Sequence, residues 1–353
     1  MDIDASYYSA IDLLKRLISI PSYSRDEKDL ADFLEGYLKE LYLSPHRKGN
    51  NIWLMSPEWK NGSPVILLNS HIDTVKPVAG WEKEPFSPYE EDGKLFGLGS
   101  NDAGASLVSL LYAFLYLTQR KEDNNFIFLA SCEEEVSGKG GVESILPELP
   151  PVDLAIVGEP TGMHPAIAEK GLMVLDGIVL GKSGHAARNE GENAIYKAIP
   201  VIEWFKNKQF AKISSLLGPV KMTVTMIQSG TQHNVIPDKC TFTVDVRTNE
   251  LYDNKELFNE IASECGCDIT ARSFRLNSSR ISPNHPLIQR ALIMDMIPFG
   301  SPTLSDQALM NFPSVKIGPG ESSRSHTADE FIYLSEIREA IELYIRLLSK
   351  LKL

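Results

Sequence analysis

Asn125-Phe-Ile-Phe-Leu-Ala-Ser-Cys-Glu-Glu-Glu135 sets an apolar run of strand length directly against three successive acids. A short run without alternation is a strand covered on both faces, the kind that parallel sheets use. A charge run is usually solvated surface, but Glu133, Glu134 and Glu135 abut a strand that reads as buried. Crowded carboxylates repel one another and can have raised pKa values. Consecutive side chains also diverge, so two of these acids can take different work, one on a metal and one on a water.

The pattern recurs on either side. Pro64-Val-Ile-Leu-Leu-Asn69 and Val152 to Val157 are further apolar runs that stop at polar clusters, and Ala105 to Leu117 reads as a buried helix. Ala5 to Ile18 and Lys28 to Leu43 have helical spacing, separated by Ile20-Pro21-Ser22-Tyr23-Ser24, a break with an N-cap candidate. Strands alternating with helices predict an α/β domain, a mostly parallel sheet with helices on both faces. After Glu169-Lys170-Gly171 the character changes. Leu172 to Leu180, Val220 to Ile227 and Cys240 to Val246 look like strands, the last with the alternation of a half-exposed antiparallel sheet, and Ala194 to Phe205 reads as a helix. Helix and short strand return after Ser282-Pro283-Asn284-His285-Pro286. At 353 residues the chain is long for one core. The expectation is one domain from 1–169 and 283–353, interrupted by an inserted α+β domain over 170–282.

Composition narrows the function classes. Hydrophobic residues at 43% and charged residues at 23% suit a globular enzyme rather than a disordered chain. A net charge of −12 speaks against nucleic acid, whose phosphates need clustered Lys and Arg. The four cysteines, at 132, 240, 265 and 267, form no disulfide framework, and Cys265-Gly266-Cys267 reads as a turn. Asp2 and Asp4 in an amphipathic first helix do not fit a signal peptide, and no apolar run reaches membrane-spanning length. These readings predict a cytoplasmic protein with no membrane and no nucleic-acid partner.

Further polar clusters follow the apolar runs. Asn69-Ser70-His71-Ile72-Asp73 places a His and an Asp at a strand's carboxyl end, where α/β folds carry their sites. One can bind a metal while the other orients its ring. In Gly97-Leu98-Gly99-Ser100-Asn101-Asp102 the glycines do not follow a strand as a dinucleotide-binding turn requires, so a carboxylate at a helix start fits better than a nicotinamide oxidoreductase. Gly158-Glu159-Pro160-Thr161 and Gly318-Pro319-Gly320 leading to Ser325-His326-Thr327-Ala328-Asp329-Glu330 complete the series. Together they supply His, Asp and Glu without thiolate, a nitrogen- and oxygen-rich metal site.

In order and over nearly the whole chain, these motifs resemble the M20 metallopeptidase family, most closely its acetylornithine deacetylase branch. The resemblance implies a zinc-dependent exopeptidase-like catalytic domain interrupted by a lid that forms a homodimer. It implies two zinc ions, with cobalt as the alternative. His71 and Glu159 would hold one, Glu135 and His326 the other, and Asp102 would bridge them. Asp73 would stand behind His71 and Glu134 would be the general base. Gly184-His185-Ala186-Ala187 resembles the family's catalytic His motif, reaching the partner subunit's metals. Asn234 and Arg247 resemble substrate-facing positions, Ser305-Asp306 is a candidate pocket lining, and Arg275 and Arg280 are weaker carboxylate-binding candidates. The resemblance also implies a cis Asp102–Ala103 peptide. The sequence departs at Ala103-Gly104, where the family has Lys-Gly, at Arg188-Asn189-Glu190, where a Pro is usual, and at Glu133, usually Asp. The implied activity is amide hydrolysis of an N-acyl amino acid, first N-acetylornithine or an N-acetyl- or N-succinyl-citrulline in arginine biosynthesis. Succinyl-diaminopimelate desuccinylase, dipeptidase or carboxypeptidase on the same scaffold is the alternative. A catalytically silent ligand-binding relative is the reading from a different class.

Overall fold

The computed structural model describes residues 2–188 and 190–353, so Asn189, within the departure after His185, lies outside the described residues. The chain divides into two compact units: Met1–Ile167 with Arg280–Phe299 and Ser305–Leu353, and Ala168–Ser279 with Gly300–Leu304. The second crossing into the insertion, Gly300–Leu304, carries no signal in the sequence pattern.

The first unit is a mixed α/β structure. Its sheet runs in the order His46–Lys48, Asn51–Met55, Asn125–Ser131, Val65–His71, Leu154–Val157, Ser314–Lys316, Ala166–Glu169. Val65–His71 pairs in parallel with both Asn125–Ser131 and Leu154–Val157, and Ser314–Lys316 pairs in parallel with Leu154–Val157. Asn51–Met55 is antiparallel. Every residue of Val65–His71 and of Asn125–Ser131 is buried, as unbroken apolar runs require. Their side chains sort by parity. Ile66, Leu68, Phe126 and Phe128 join a core with Leu14, Leu107, Leu111 and Tyr344, while Val65, Leu67, Ile127 and Leu129 join another with Val142 and Ile145. The helix Ala105–Thr118 is buried on nearly every side. The helix Lys28–Glu40 stops short of Leu43 because Tyr42, at φ +60°, leaves the right-handed region.

The second unit is a four-stranded antiparallel sheet in the order Lys221–Ser229, Lys239–Thr248, Gly171–Leu180, Asp268–Ala271. Burial alternates along Lys239–Thr248, the signature of one covered face. Helices Ala194–Asn207 and Asn254–Glu264 supply Val201, Phe205, Leu257 and Ile261 to the core on that face.

Candidate metal centre

Three parallel strands deliver the first side chains. His71 ends Val65–His71, Glu134 and Glu135 follow Asn125–Ser131, and Glu159 follows Leu154–Val157. All leave the sheet at its carboxyl edge, where strands stop consuming their backbone groups and loops can turn inward. Asp102 comes from the irregular turn Ser100–Gly104 before the buried helix, across a cis Asp102–Ala103 peptide.

These residues converge. Ligand atoms of His71, Glu134 and Glu159, and of His71, Asp102 and Glu135, lie within 4.8 Å of one another. His71 Nε2 is 3.3 Å from Asp102 Oδ1 and 3.7 Å from Glu159 Oε1. On the other side His326 Nε2 is 3.0 Å from Glu135 Oε2 and 3.6 Å from Asp102 Oδ2. Asp102 thus turns one oxygen to each histidine. All five expected ligands and Glu134 meet in one place.

Buried carboxyl groups and two histidines perturb one another strongly here. Burial, reinforced by Glu159, pushes the Glu134 carboxyl well above its usual range. Burial pushes Glu159 up to about 8, against the pull of His71. His71 would lose its proton through burial alone, but the carboxylates of Asp102 and Asp73 hold it well above normal. The hydrogen bond from His326 to Glu135 lifts His326 to about 9. Glu159 Oε1 is buried and has no hydrogen-bond partner among the described residues. His71 Nδ1 donates to the Asp73 carbonyl at 2.8 Å, which reserves Nε2 for a ligand facing Asp102 and Glu159. An orphaned carboxylate oxygen and an imidazole nitrogen aimed at a common point fit a divalent cation.

Asp73 differs in detail from the expectation. The ring of His71 is held by the Asp73 backbone carbonyl, while its carboxylate stands 3.6 Å from Nδ1. That carboxylate grips the acid run instead, accepting the N–H of Glu134 at 3.0 Å and of Glu135 at 3.1 Å. The two preceding N–H groups are also held, Cys132 by Asn51 Oδ1 and Glu133 by Glu27 Oε1. Four successive amides are thereby fixed by side chains from three other segments. Glu133 sits at φ +56°, and its carboxylate folds back over Gly138 and Gly140, where any Cβ would run into it. The Glu at this position is accommodated by those glycines.

Asp306, expected with Ser305 as pocket lining, has a structural part that the sequence did not mark. Buried Asp306 accepts from Asn69 Nδ2 at 2.9 Å and from the Ser131 hydroxyl at 2.7 Å, tying the ends of two central strands. Burial pushes Asp306 up to about 6. Ser305 is buried and caps the turn Asp306–Leu309, its hydroxyl accepting from Gln307 N–H. In the second unit, Gly184–His185 pairs with Val235–Ile236, and Ala186 N–H donates to the Asn234 carbonyl, which brings His185 and Asn234 together. His185 Nδ1 accepts from Ala187 N–H, leaving Nε2 as the donor. Arg247 forms a bidentate pair with Asp245, at 2.8 and 3.0 Å.

A sequence profile of Peptidase family M20/M25/M40 matches residues 67–350. The chain belongs to the M20 metallopeptidases, enzymes that hydrolyse amide bonds. A succinyl-diaminopimelate desuccinylase of Corynebacterium glutamicum is 27% identical over 360 aligned residues, covering 96% of this chain and 95% of the relative. The crystal structure of aminopeptidase PepT from Bacillus cereus superposes with a TM-score of 0.78 at 19% identity over 98% of both chains. That of Bacillus subtilis YXEP, a dinuclear metal-binding M20 peptidase, gives 0.75 at 16% identity over 98% and 97%. The family and fold expected of this M20 chain therefore hold, while the relative's name points to succinyl-diaminopimelate rather than acetylornithine.

Proposed function

We propose that this M20 chain uses two divalent cations to remove a succinyl group from the amino group of a succinylated amino acid. The observation that carries the dinuclear reading is Asp102, one oxygen toward His71 and the other toward His326. His71 and Glu159 would hold one cation, His326 and Glu135 the other, and Asp102 both. Zinc suits this nitrogen and oxygen set, with cobalt as its substitute. Bound there, such cations supply Lewis acidity toward an amide carbonyl and ease deprotonation of water. Glu134, whose burial favours proton uptake, takes the proton from the attacking water and returns it to the departing amine. His185 carries its proton on Nε2, the tautomer needed to donate to the oxyanion. Asn234 beside it would face the same substrate, Arg247 would take a substrate carboxylate after exchanging Asp245, and Ser305 would line the pocket.

The succinyl preference rests on the relative's name and displaces acetylornithine as the first substrate to test. The dimer expectation finds support in the second unit. Lys221–Ser229 is an edge strand with Met226 and Ile227 exposed, and the adjoining helix exposes Tyr196 and Ile199. An exposed edge beside apolar side chains suits pairing with a second copy. That copy would bring His185 to its partner's centre.

The test is a panel, assayed with added zinc or cobalt: N-succinyl-diaminopimelate, N-succinylcitrulline, N-acetylcitrulline, N-acetylornithine and dipeptides. We expect kcat/KM for succinylated substrates to exceed that for acetylated ones by about ten- to a hundred-fold, the worth of one charge-assisted hydrogen bond to the extra carboxylate. The reverse order would contradict the acyl assignment, and no turnover of any member would contradict the function.

A further inference from the structure

We propose that Glu330 is a positioning residue that fixes the Asp102 carboxylate between the two cation positions; this rests on the dinuclear reading above. Glu330 is 2% exposed. Its Oε1 accepts the N–H of Asn101 at 2.8 Å and of Asp102 itself at 2.9 Å, and its Oε2 accepts the N–H of Gly99 at 3.1 Å. The loop wraps around this carboxylate as a loop wraps around a bound anion, with Gly99 at φ +76° so that its amide can point inward. Here the chain's own carboxyl group takes that place, both oxygens accepting from amides.

The placement of Glu330 explains why the contact bears on the metals. It lies four residues after His326 and immediately before the strand Phe331–Tyr333, which pairs with Lys94–Phe96. Its carbonyl also accepts Gly97 N–H at 3.0 Å. The segment His326–Glu330 therefore meets Asp102 at two points. His326 faces the Asp102 side chain at 3.6 Å, and Glu330 holds the Asp102 amide. Asn101, next in the loop, is held by the same stretch of chain, donating to the Glu321 carbonyl and to the Ser325 hydroxyl. The distance between Asp102 and His326 is thus set by Glu330. His71 and Glu159 stand on strand ends whose register is fixed by the sheet, independently of Glu330. Losing Glu330 should therefore loosen the His326 side and spare the His71 side.

The experiment is cobalt titration of the full-length metal-free protein, read by calorimetry and by the cobalt visible spectrum, for the native chain, Glu330→Gln, Glu330→Asp and Glu330→Ala. Native protein should take up two equivalents. Glu330→Ala should keep the first and weaken the second by about ten- to a hundred-fold, the usual effect of removing a group that orients a ligand. Its kcat should fall by a similar factor with KM changed less than about two-fold, because substrate-binding groups are untouched. Glu330→Gln, which keeps one oxygen for Asn101 and Asp102, should recover most of the second-site affinity. If Glu330→Ala does not fold, Glu330→Asp decides, since it keeps the carboxyl group but is one methylene too short to span all three amides. Native protein with two equivalents and variants indistinguishable from it overturns this inference alone, as does equal weakening of both equivalents. Native protein that takes up fewer than two equivalents overturns the dinuclear reading and this inference with it. Failure of the substrate panel leaves the titration decisive for Glu330.

Discussion

His71 is the last residue of a strand buried along its whole length, and 1% of its side chain is exposed; His326 stands in a loop at φ +57° with 53% exposed. The two flank the same carboxylate, yet they are held by different means. On the His71 side the backbone is locked by parallel ladders to two neighbouring strands. On the His326 side the histidine lies in no strand among the described residues, and position comes from side chains gripping amides, Glu330 on Asp102 and Asp329 on Glu82 and Lys83. A sheet edge provides rigid, desolvated ligands, and a clamped loop provides an accessible one. A dinuclear hydrolase has use for both, since one cation can stay while the other exchanges ligands with substrate.

The largest expected effect separates the halves directly. His71→Ala should lose both cations and reduce turnover to background, because His71 belongs to both groups of converging ligand atoms, with Glu134 and Glu159 and with Asp102 and Glu135. His326→Ala should retain one equivalent. Metal content per chain by mass spectrometry checks this, and equal losses from both variants would erase the distinction.

Next comes Asp73→Asn. An amide cannot accept from both Glu134 and Glu135 N–H as the carboxylate does. One buried donor is left over, at a cost of about 1–3 kcal/mol in stability. With the acid run loosened, kcat should drop about ten- to a hundred-fold. Urea unfolding and steady-state kinetics measure the two effects, and unchanged values in both would show that the clamp is idle.

Proton linkage gives a smaller effect with a definite sign. With Glu159 at about 8 and His326 at about 9, both groups are protonated at pH 7 in the metal-free protein. A cation needs them deprotonated, so uptake should release protons. Apparent affinity should then rise from pH 7 to 9 and flatten above. Calorimetry in buffers of different ionisation enthalpy reads the release, and pH-independent affinity would contradict the crowded-carboxylate picture.

The smallest effect lies outside both halves. Asp245→Asn frees Arg247 from a partly exposed pair and should lower KM for a carboxylate-bearing substrate by up to about five-fold, the factor that ~1 kcal/mol supplies. A raised KM would mean that Asp245 holds Arg247 ready rather than back.

The sequence exposed some of this and hid the rest for physical reasons. His71, Glu134, Glu135 and Glu159 were legible because each ends or follows an apolar run, and a polar residue at that boundary stands out. Asp102 and His326 were marked by the glycines before them. The supporting roles of Glu27, Asn51, Asn69, Asp306 and Glu330 were not, because these residues act on backbone amides or distant side chains; Asp306 stood out only beside Ser305 as a candidate pocket lining. Asn69 and Asp306 lie 237 residues apart, and nothing local records their hydrogen bond. The strand Asp268–Ala271 escaped for a related reason. Only four residues long, it is stabilised by pairing with Gly171–Leu180 rather than by its own pattern. In the central sheet Val65–His71, Asn125–Ser131 and Leu154–Val157 stood out because each is an unbroken buried run, while the short Ser314–Lys316 and Ala166–Glu169 escaped as Asp268–Ala271 did.

In the proposed mechanism, metal-dependent amide hydrolysis runs through Glu134 as the proton carrier. Glu134→Gln tests it in one preparation, by metal content and turnover of the best succinylated substrate together. The variant should hold two equivalents of metal, as native protein does, with kcat lowered about 10²–10⁴-fold, the usual contribution of a general base. Near-native turnover with both metals bound would contradict it.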